Sequence, residues 1–297
     1  SQFAHWNNDP NGMVYYNGYY HLYYQHNPYG NTWGPMHWGH ARSKDLVHWE
    51  NLPIALVPDM KIENSIGYMW SGSAMVYHKG DSAAIDAKGW FDGTDASEGD
   101  ALGLIGFYTR HDDVGGNRNT VVMYSTDGGL SWNKENAINR AVSNTGGSWR
   151  DPKVFRMNEF NGSDDGYAWG MALTDMEGQK LFFLKSKNLI DWADAGNLTV
   201  ECKPECPDVF QLTADDGATH TVITLTSRYY VVCDLGYENG KIVLKDTENG
   251  AVLNKLKATD LRLKKMDFGP DSYAAQTFYI DADSDSVYAG KTVGLHW

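Results

Sequence analysis

Short β-type apolar runs recur along the chain, at 13–16, 19–24, 121–124, 181–184, 222–226, 229–233 and 276–280. Each is rich in β-branched or aromatic residues and is bounded by Gly, Asn, Asp or Ser, as expected of strands between turns. The three- and four-residue spacing of long amphipathic helices is hard to find. Asn17-Gly18, between two Tyr-rich runs, predicts a two-residue hairpin, because both turn positions need positive φ.

One longer pattern repeats. Ser43-Lys44-Asp45-Leu46-Val47-His48-Trp49 resembles Ser125-Thr126-Asp127-Gly128-Gly129-Leu130-Ser131-Trp132 and Ser186-Lys187-Asn188-Leu189-Ile190-Asp191-Trp192. In each, a strand is followed by Ser, an Asp or Asn turn, an apolar residue and a closing Trp. A turn that repeatedly plants a Trp between neighbouring sheets predicts radially arranged blades of about 40 to 60 residues, a β-propeller. The three Trp lie 83 and 60 positions apart, so the first interval needs an insertion, which the Gly/Asp/Ala/Ser-rich stretch 79–100 supplies. The strand clusters make four blades and the beginning of a fifth. The last segment, 291–297, reads as a strand that stops without a turn, as if the fifth blade were cut.

Composition narrows the partners. With 38 acidic against 25 basic residues the net charge is −13, which disfavours nucleic acid and anionic membrane surfaces. The acids are 28 Asp and 10 Glu beside 31 Gly, a turn-rich rather than helix-rich balance. No run approaches the roughly 18 to 20 apolar residues of a membrane span. Cys202, Cys206 and Cys233 are too few for a disulfide framework, and neither their spacing nor a nearby His pair fits a metal site, so no metal or other cofactor is expected. Ser1 opens the chain without a charged-then-apolar leader, so any targeting segment is expected to have been removed.

A propeller aims its innermost strands at a common axis, so its chemistry is expected from polar residues at the starts of those strands. Three segments qualify: Trp6-Asn7-Asn8-Asp9-Pro10-Asn11-Gly12, Trp149-Arg150-Asp151-Pro152 and Pro204-Glu205-Cys206-Pro207-Asp208. Singly, each has an ordinary explanation: a turn, an Arg–Asp ion pair, a solvated loop Glu. Asp151 before a proline is expected to be extended, with Arg150 keeping its carboxylate ionised. Glu205, ahead of an apolar strand, is expected to become a proton donor through partial burial. Together they supply one acidic residue per blade, each followed by Pro within two positions. That set suits cleavage of a glycosidic bond, with one carboxylate to attack, one acid to protonate the leaving oxygen and one charge to hold the sugar. Abundant Trp and Tyr suit sugar CH faces, although most must fill blade interfaces.

These three segments resemble the signature motifs of glycoside hydrolase family 32, the invertase, inulinase and levanase family. Further matching segments run between them: Tyr23-Tyr24-Gln25-His26-Asn27-Pro28, Trp38-Gly39-His40-Ala41, Trp70-Ser71-Gly72-Ser73-Ala74 and Asp271-Ser272-Tyr273-Ala274-Ala275-Gln276. The resemblance covers essentially the whole chain, 1–297. It implies a five-bladed propeller that hydrolyses β-fructofuranosides, such as sucrose, inulin or levan, with retention of configuration. It implies Asp9 as nucleophile, Glu205 as acid and then base, and Asp151 as transition-state stabiliser beside Arg150. Asn8, Gln25, Trp33, Trp70, Ser71, Arg150, Tyr273 and Trp297 match positions lining the fructose pocket. Cys206 offers a small apolar wall beside Glu205.

The chain departs from the family where Asn7 replaces a usual apolar Met, and residues 1–297 are expected to stop short of the end of the fifth blade and of the family's C-terminal β-sandwich. His37 and His40 fit a strand better than a metal pair. A fructosyltransferase with the same carboxylates and a non-catalytic fructan-binding propeller are the rival readings. Intact carboxylates disfavour the second. The 79–100 insertion reads either as a loop at the funnel mouth or as a solvated excursion. A polymeric fructan substrate favours export, while scarce cysteine fits either compartment.

Overall fold

The computed structural model describes residues 4–62, 65–95, 100–135, 149–157, 165–226, 228–257, 259, 262–267, 269 and 271–297. The strands form four antiparallel meanders that step outward from an innermost strand, the second with a short extra strand ahead of it. The first blade runs Trp6–Tyr16, Tyr19–Asn27, His37–Ser43 and Trp49–Leu56. The second is built from Asp59–Ile62, Ser65–His78, Ala101–Asp112, Arg118–Ser125 and Asn133–Lys134. The third contains Trp149–Arg156, Trp169–Asp175, Lys180–Ser186 and Trp192–Val200, and the fourth Asp208–Thr213, Thr219–Leu225, Tyr229–Glu238 and Lys241–Lys245. Lys255–Leu256 then crosses back and pairs in parallel with the outer edge of the third blade.

The sheets make four blades where the resemblance implies five. In the fifth position stands a two-stranded ribbon, Gln276–Thr277 with Gly294–Leu295. Between them the chain turns repeatedly and leaves no further ladder among the described residues. This terminal segment still reaches the axis. Tyr279 bridges Val14 in parallel, with its carbonyl accepting from the Tyr15 amide at 2.8 Å and its amide donating to the Met13 carbonyl at 2.9 Å.

The core is a set of wedges between blades. Val14, Tyr23, Trp38, Leu104, Tyr108 and Trp132 fill the first, and Tyr77, Phe107, Trp169, Met171, Leu184 and Trp192 the second. Phe183, Leu198, Ile223, Val231 and Leu244 belong to the third. The repeated Trp each close one wedge: Trp192 against the second blade, Trp132 against the first, and Trp49 against the terminal segment beside Phe278. Their turns share a conformation. The residue three before each Trp is left-handed, Leu46 at φ 63°, Leu189 at φ 62° and Gly129 at φ 81°. The opening Ser accepts from that residue's amide or its neighbour's, as in Leu46 N to Ser43 Oγ at 2.8 Å and Gly129 N to Ser125 Oγ at 3.0 Å.

The described part of the 79–100 insertion lies away from the funnel mouth and is largely exposed, anchored by the buried Ser82, Ile85, Trp90 and Phe91. It carries the helix Ala83–Lys88, a short departure from the all-β expectation, capped by Ser82 and closed by Gly89 at φ 66°. The Ser82 hydroxyl donates to the Asn188 carbonyl at 2.6 Å, and Phe91 stacks on Tyr77 at 4.5 Å, so the segment is packed onto its own and the third blade. It leaves from the far end of strand Ser65–His78, where half-buried ions knit three parts of the chain. Arg156 pairs with Asp81 at 2.7 Å and donates from Nε to the Tyr279 hydroxyl oxygen at 3.3 Å, while His78 faces Asp281 at 3.3 Å.

Candidate active site

Three innermost strands break step at the same end of the axis. Between the pairs Asn7–His26 and Pro10–Tyr24 the inner strand advances three residues against two on its neighbour, leaving one extra. The same extra residue occurs between Met69–Arg110 and Gly72–Tyr108, and between Arg150–Thr174 and Lys153–Ala172. Bulges re-aim side chains and free them from the ladder. Asp9, Ser71 and Asp151 lie within the three bulges, and Gly72 must be glycine because a Cβ there would stand 1.9 Å from the Phe107 carbonyl oxygen. Glu205 and Cys206 come from the turn that enters the fourth blade, with Cys206 at φ 41°.

These residues meet in one cleft of about 310 Å³ lined by Trp6, Asn8, Asp9, Gln25, Trp33, Trp70, Ser71, Arg150, Asp151, Glu205, Tyr273 and Trp297. All eleven residues singled out from the sequence are among them. Gln25 and Ser71 are buried at its floor, whereas Trp33 and Trp297 are 53% and 45% exposed at its rim. Aromatic edges build the walls, with Trp33 against Trp70 at 6.1 Å and Trp297 against both Trp6 and Tyr273 at 6.3 and 6.2 Å. Of the two histidines on strand His37–Ser43, His37 faces the Pro35 carbonyl and His40 stacks with His21 inside the blade.

Asp9 is held by donors from three directions. Its Oδ1 accepts from Asn8 Nδ2 at 3.0 Å and Trp297 Nε1 at 3.1 Å, and its Oδ2 from Ser71 Oγ at 2.6 Å. The Cys206 thiol lies 3.4 Å from the same Oδ2 and 3.6 Å from Asp151 Oδ2, so one sulfur touches both carboxylates. Burial, then the charge of Asp151, pushes that thiol well above its ordinary value, so it serves as a neutral donor rather than a nucleophile.

Arg150 spans the other side. Its Nη2 donates to Glu205 Oε1 and lies 3.3 Å from the Met176 sulfur, while its Nε stands 3.6 Å from Asp151 Oδ2. Asp151 is 4% exposed, and burial raises its pKa from 3.8 to about 7 despite Arg150. The expectation that Arg150 keeps it ionised is therefore corrected: the guanidinium is committed to Glu205, and desolvation outweighs the more distant pairing. Asp151 is also left-handed at φ 61° rather than extended, because it occupies the bulge and its amide turns to Thr109 Oγ1 at 2.9 Å. Glu205 is raised too, by burial first, opposed by Arg150 and reinforced by the charge of Asp9. The arrangement offers an oriented carboxylate, a carboxyl poised to hold a proton, and a third acid with an arginine between.

Sequence reasoning left out Trp6, Thr109, Ser73 and Met176. Trp6 opens the first motif and its Nε1 donates to Asn8 Oδ1 at 2.7 Å, so its place in the motif was the available signal. Ser73 lies in the matching segment 70–74 but, like Thr109, acts across blades, and Met176 meets Arg150 from the neighbouring strand of the same blade.

The Glycosyl hydrolases family 32 N-terminal domain matches residues 2–292. A fructan beta-fructosidase of Streptococcus mutans is 36% identical over 280 residues, 93% of this chain and 17% of that protein. A levanase of Bacillus subtilis is 41% identical over 218 residues, 71% of this chain and 28% of that protein. Among solved structures, beta-fructofuranosidase from Schwanniomyces occidentalis complexed with fructosyl-erythritol superposes with a TM-score of 0.75 at 26% identity, covering 100% of this chain and 52% of that one. The chain thus spans about half or less of the length of these relatives. On both sequence and fold, it belongs to glycoside hydrolase family 32.

Proposed function

We propose that residues 1–297 form the catalytic propeller of a retaining β-fructofuranosidase that releases fructose from sucrose, inulin or levan, with the terminal ribbon standing where a fifth blade begins. The observation that carries the reading is the convergence of three carboxylates from three blades in one aromatic cleft, two of them on Arg150. Relatives named as fructan beta-fructosidase and levanase support the substrate class. Polymeric fructans do not cross membranes, which supports action outside the cell.

In this mechanism an Asp9 oxygen attacks the anomeric carbon of the fructosyl unit while the bond to the leaving oxygen breaks. Glu205 gives its proton to that oxygen, so the leaving sugar departs neutral. Glu205, now a carboxylate, takes a proton from water, whose oxygen attacks the same carbon and expels Asp9. Asp151 and Arg150 bind fructose hydroxyls as charge develops at the ring, and Asn8, Gln25, Trp33, Trp70, Ser71, Tyr273 and Trp297 enclose the sugar. A raised pKa suits Glu205 to donate near neutral pH.

The test is chromatography of products from sucrose, inulin and levan. Equal glucose and fructose from sucrose supports hydrolysis. A persistent glucose excess would make the protein a fructosyltransferase, and binding without release would make it a lectin-like propeller.

A further inference from the structure

The bulge that aims Asp151 is held by a neighbouring blade rather than by its own. On one side of the kink, the Asp151 amide donates to Thr109 Oγ1 at 2.9 Å. On the other, the Ser73 hydroxyl donates to the Pro152 carbonyl at 2.8 Å and accepts from the Val154 amide at 3.1 Å. Ser73 lies on strand Ser65–His78 and Thr109 on Ala101–Asp112, both in the second blade, and the two are 4% and 1% exposed. Asp151 and Pro152 are the residues left out between the pairs Arg150–Thr174 and Lys153–Ala172, and Val154 is in register opposite Met171 just beyond them, so the hydroxyls grip the bulge and the residue that follows it. Buried without these hydroxyls, the backbone groups they meet would lack partners and incur their full desolvation penalty.

The bracket also opposes two local preferences. A side chain at φ 61° is disfavoured, and a residue before proline tends towards the extended region. Without the two hydroxyls, the kink at Asp151 is free to relax towards extended backbone. Its carboxylate would then turn away from Cys206, whose amide donates to Asp151 Oδ2 at 3.0 Å, and from Arg150.

We propose that Ser73 and Thr109 are positioning residues that clamp the Asp151-Pro152 kink from the second blade and thereby set the direction of the Asp151 carboxylate. They touch no substrate and act only through Asp151, so the inference rests on the role proposed for Asp151 above.

The test combines Ser73→Ala and Thr109→Val, singly and together, with either Asp or Asn at 151 in the full protein. With Asp151 present, the pair is expected to lower kcat on sucrose by about 100-fold, the scale of an ångström-sized misplacement, with little change in KM. With Asp151→Asn already in place, the same pair is expected to lower kcat by about twofold or less, since groups acting through one another are not additive. Thr109→Ser keeps the hydroxyl and is expected to restore activity lost in Thr109→Val. Equal losses in the two backgrounds, or an unchanged kcat in the pair, would overturn the proposal. If the pair fails to fold by circular dichroism, the near-isosteric Thr109→Val alone carries the comparison, with a loss of about tenfold expected. Absence of fructose release by the unmodified protein from sucrose, inulin and levan would instead overturn the proposed function itself.

Discussion

At the cleft, Asp151 and Glu205 flank Arg150 with Asp9 lining the same cavity, whereas at the other end of the same strands Asp81 and Asp281 meet Arg156 and His78. Five positions separate Asp151 from Arg156, roughly 17 Å of extended chain, and over that length the handling of buried charge reverses. At the base, burial opposes ionisation of Asp81, but His78 and Arg156 hold it down to about 2, while Asp281 and Asp81 hold His78 up at about 9. At the mouth, burial lifts Asp151 to about 7 with no partner sufficient to offset it. The shift of Asp151 corresponds to roughly 4 kcal/mol against its charged form at neutral pH. The base is organised for cohesion, and the mouth retains strain that a sugar's hydroxyls and developing positive charge would relieve.

That contrast is broken most directly by exchanging the effects of mutation at the two ends. Asp9→Asn is expected to lower kcat by about 10⁴-fold or more while leaving thermal unfolding nearly unchanged. Glu205→Gln should lose 10²- to 10⁴-fold on sucrose, roughly the contribution of a general acid, yet still form a fructosyl-enzyme from fructosyl fluoride, which needs no proton. Equal losses on both substrates would remove Glu205 from the acid role. Arg156→Met should do the reverse, destabilising by about 2 kcal/mol in denaturant titration because Asp81 loses its guanidinium and keeps only His78, with kcat of the folded protein unchanged.

Smaller effects sharpen the comparison through pH. An acid whose native pKa is raised favours the folded state most below its unfolded value, near 3.8, and loses that contribution as pH rises to about 7. Asp151→Asn is therefore expected to raise unfolding stability at pH 8 by about 2 to 4 kcal/mol, and hardly at pH 4, while activity collapses. A difference that does not change with pH would refute the account of the mouth. His78 is a raised base, so its contribution is full below about 6.5 and lost as pH climbs through about 9. His78→Gln should remove about 1 to 2 kcal/mol at pH 6 and progressively less towards pH 10, read by urea unfolding at each pH.

The parts of this molecule that were legible in the sequence are those written in contiguous residues. The Ser-to-Trp turns ending at Trp49, Trp132 and Trp192 carry their hydrogen bonds within a few positions, so they announced the blades. Asp9, Asp151 and Glu205 stood out because each sits beside a proline at a strand entrance. The left-handed turn at Asp151 was not legible, because residues 42 and 79 positions away hold it. Nor was the base network, since His78 and Asp281 pair across most of the chain and look like ordinary surface residues in isolation. The six-residue helix Ala83–Lys88 is too short for a 3.6-residue period to emerge.

The extra residue in each of three inner strands means that the alternation of faces changes phase partway along the strand. Side chains before the bulge and after it obey opposite odd–even rules, and the catalytic position is where the rule flips. Deleting one residue at each of these three bulges would restore the ladder at that point, with a second break between Asn11 and Val14 left in the first strand, yet it would hand the axis-facing positions of the entrance to their neighbours. In this fold the irregularity is the address of the candidate active site.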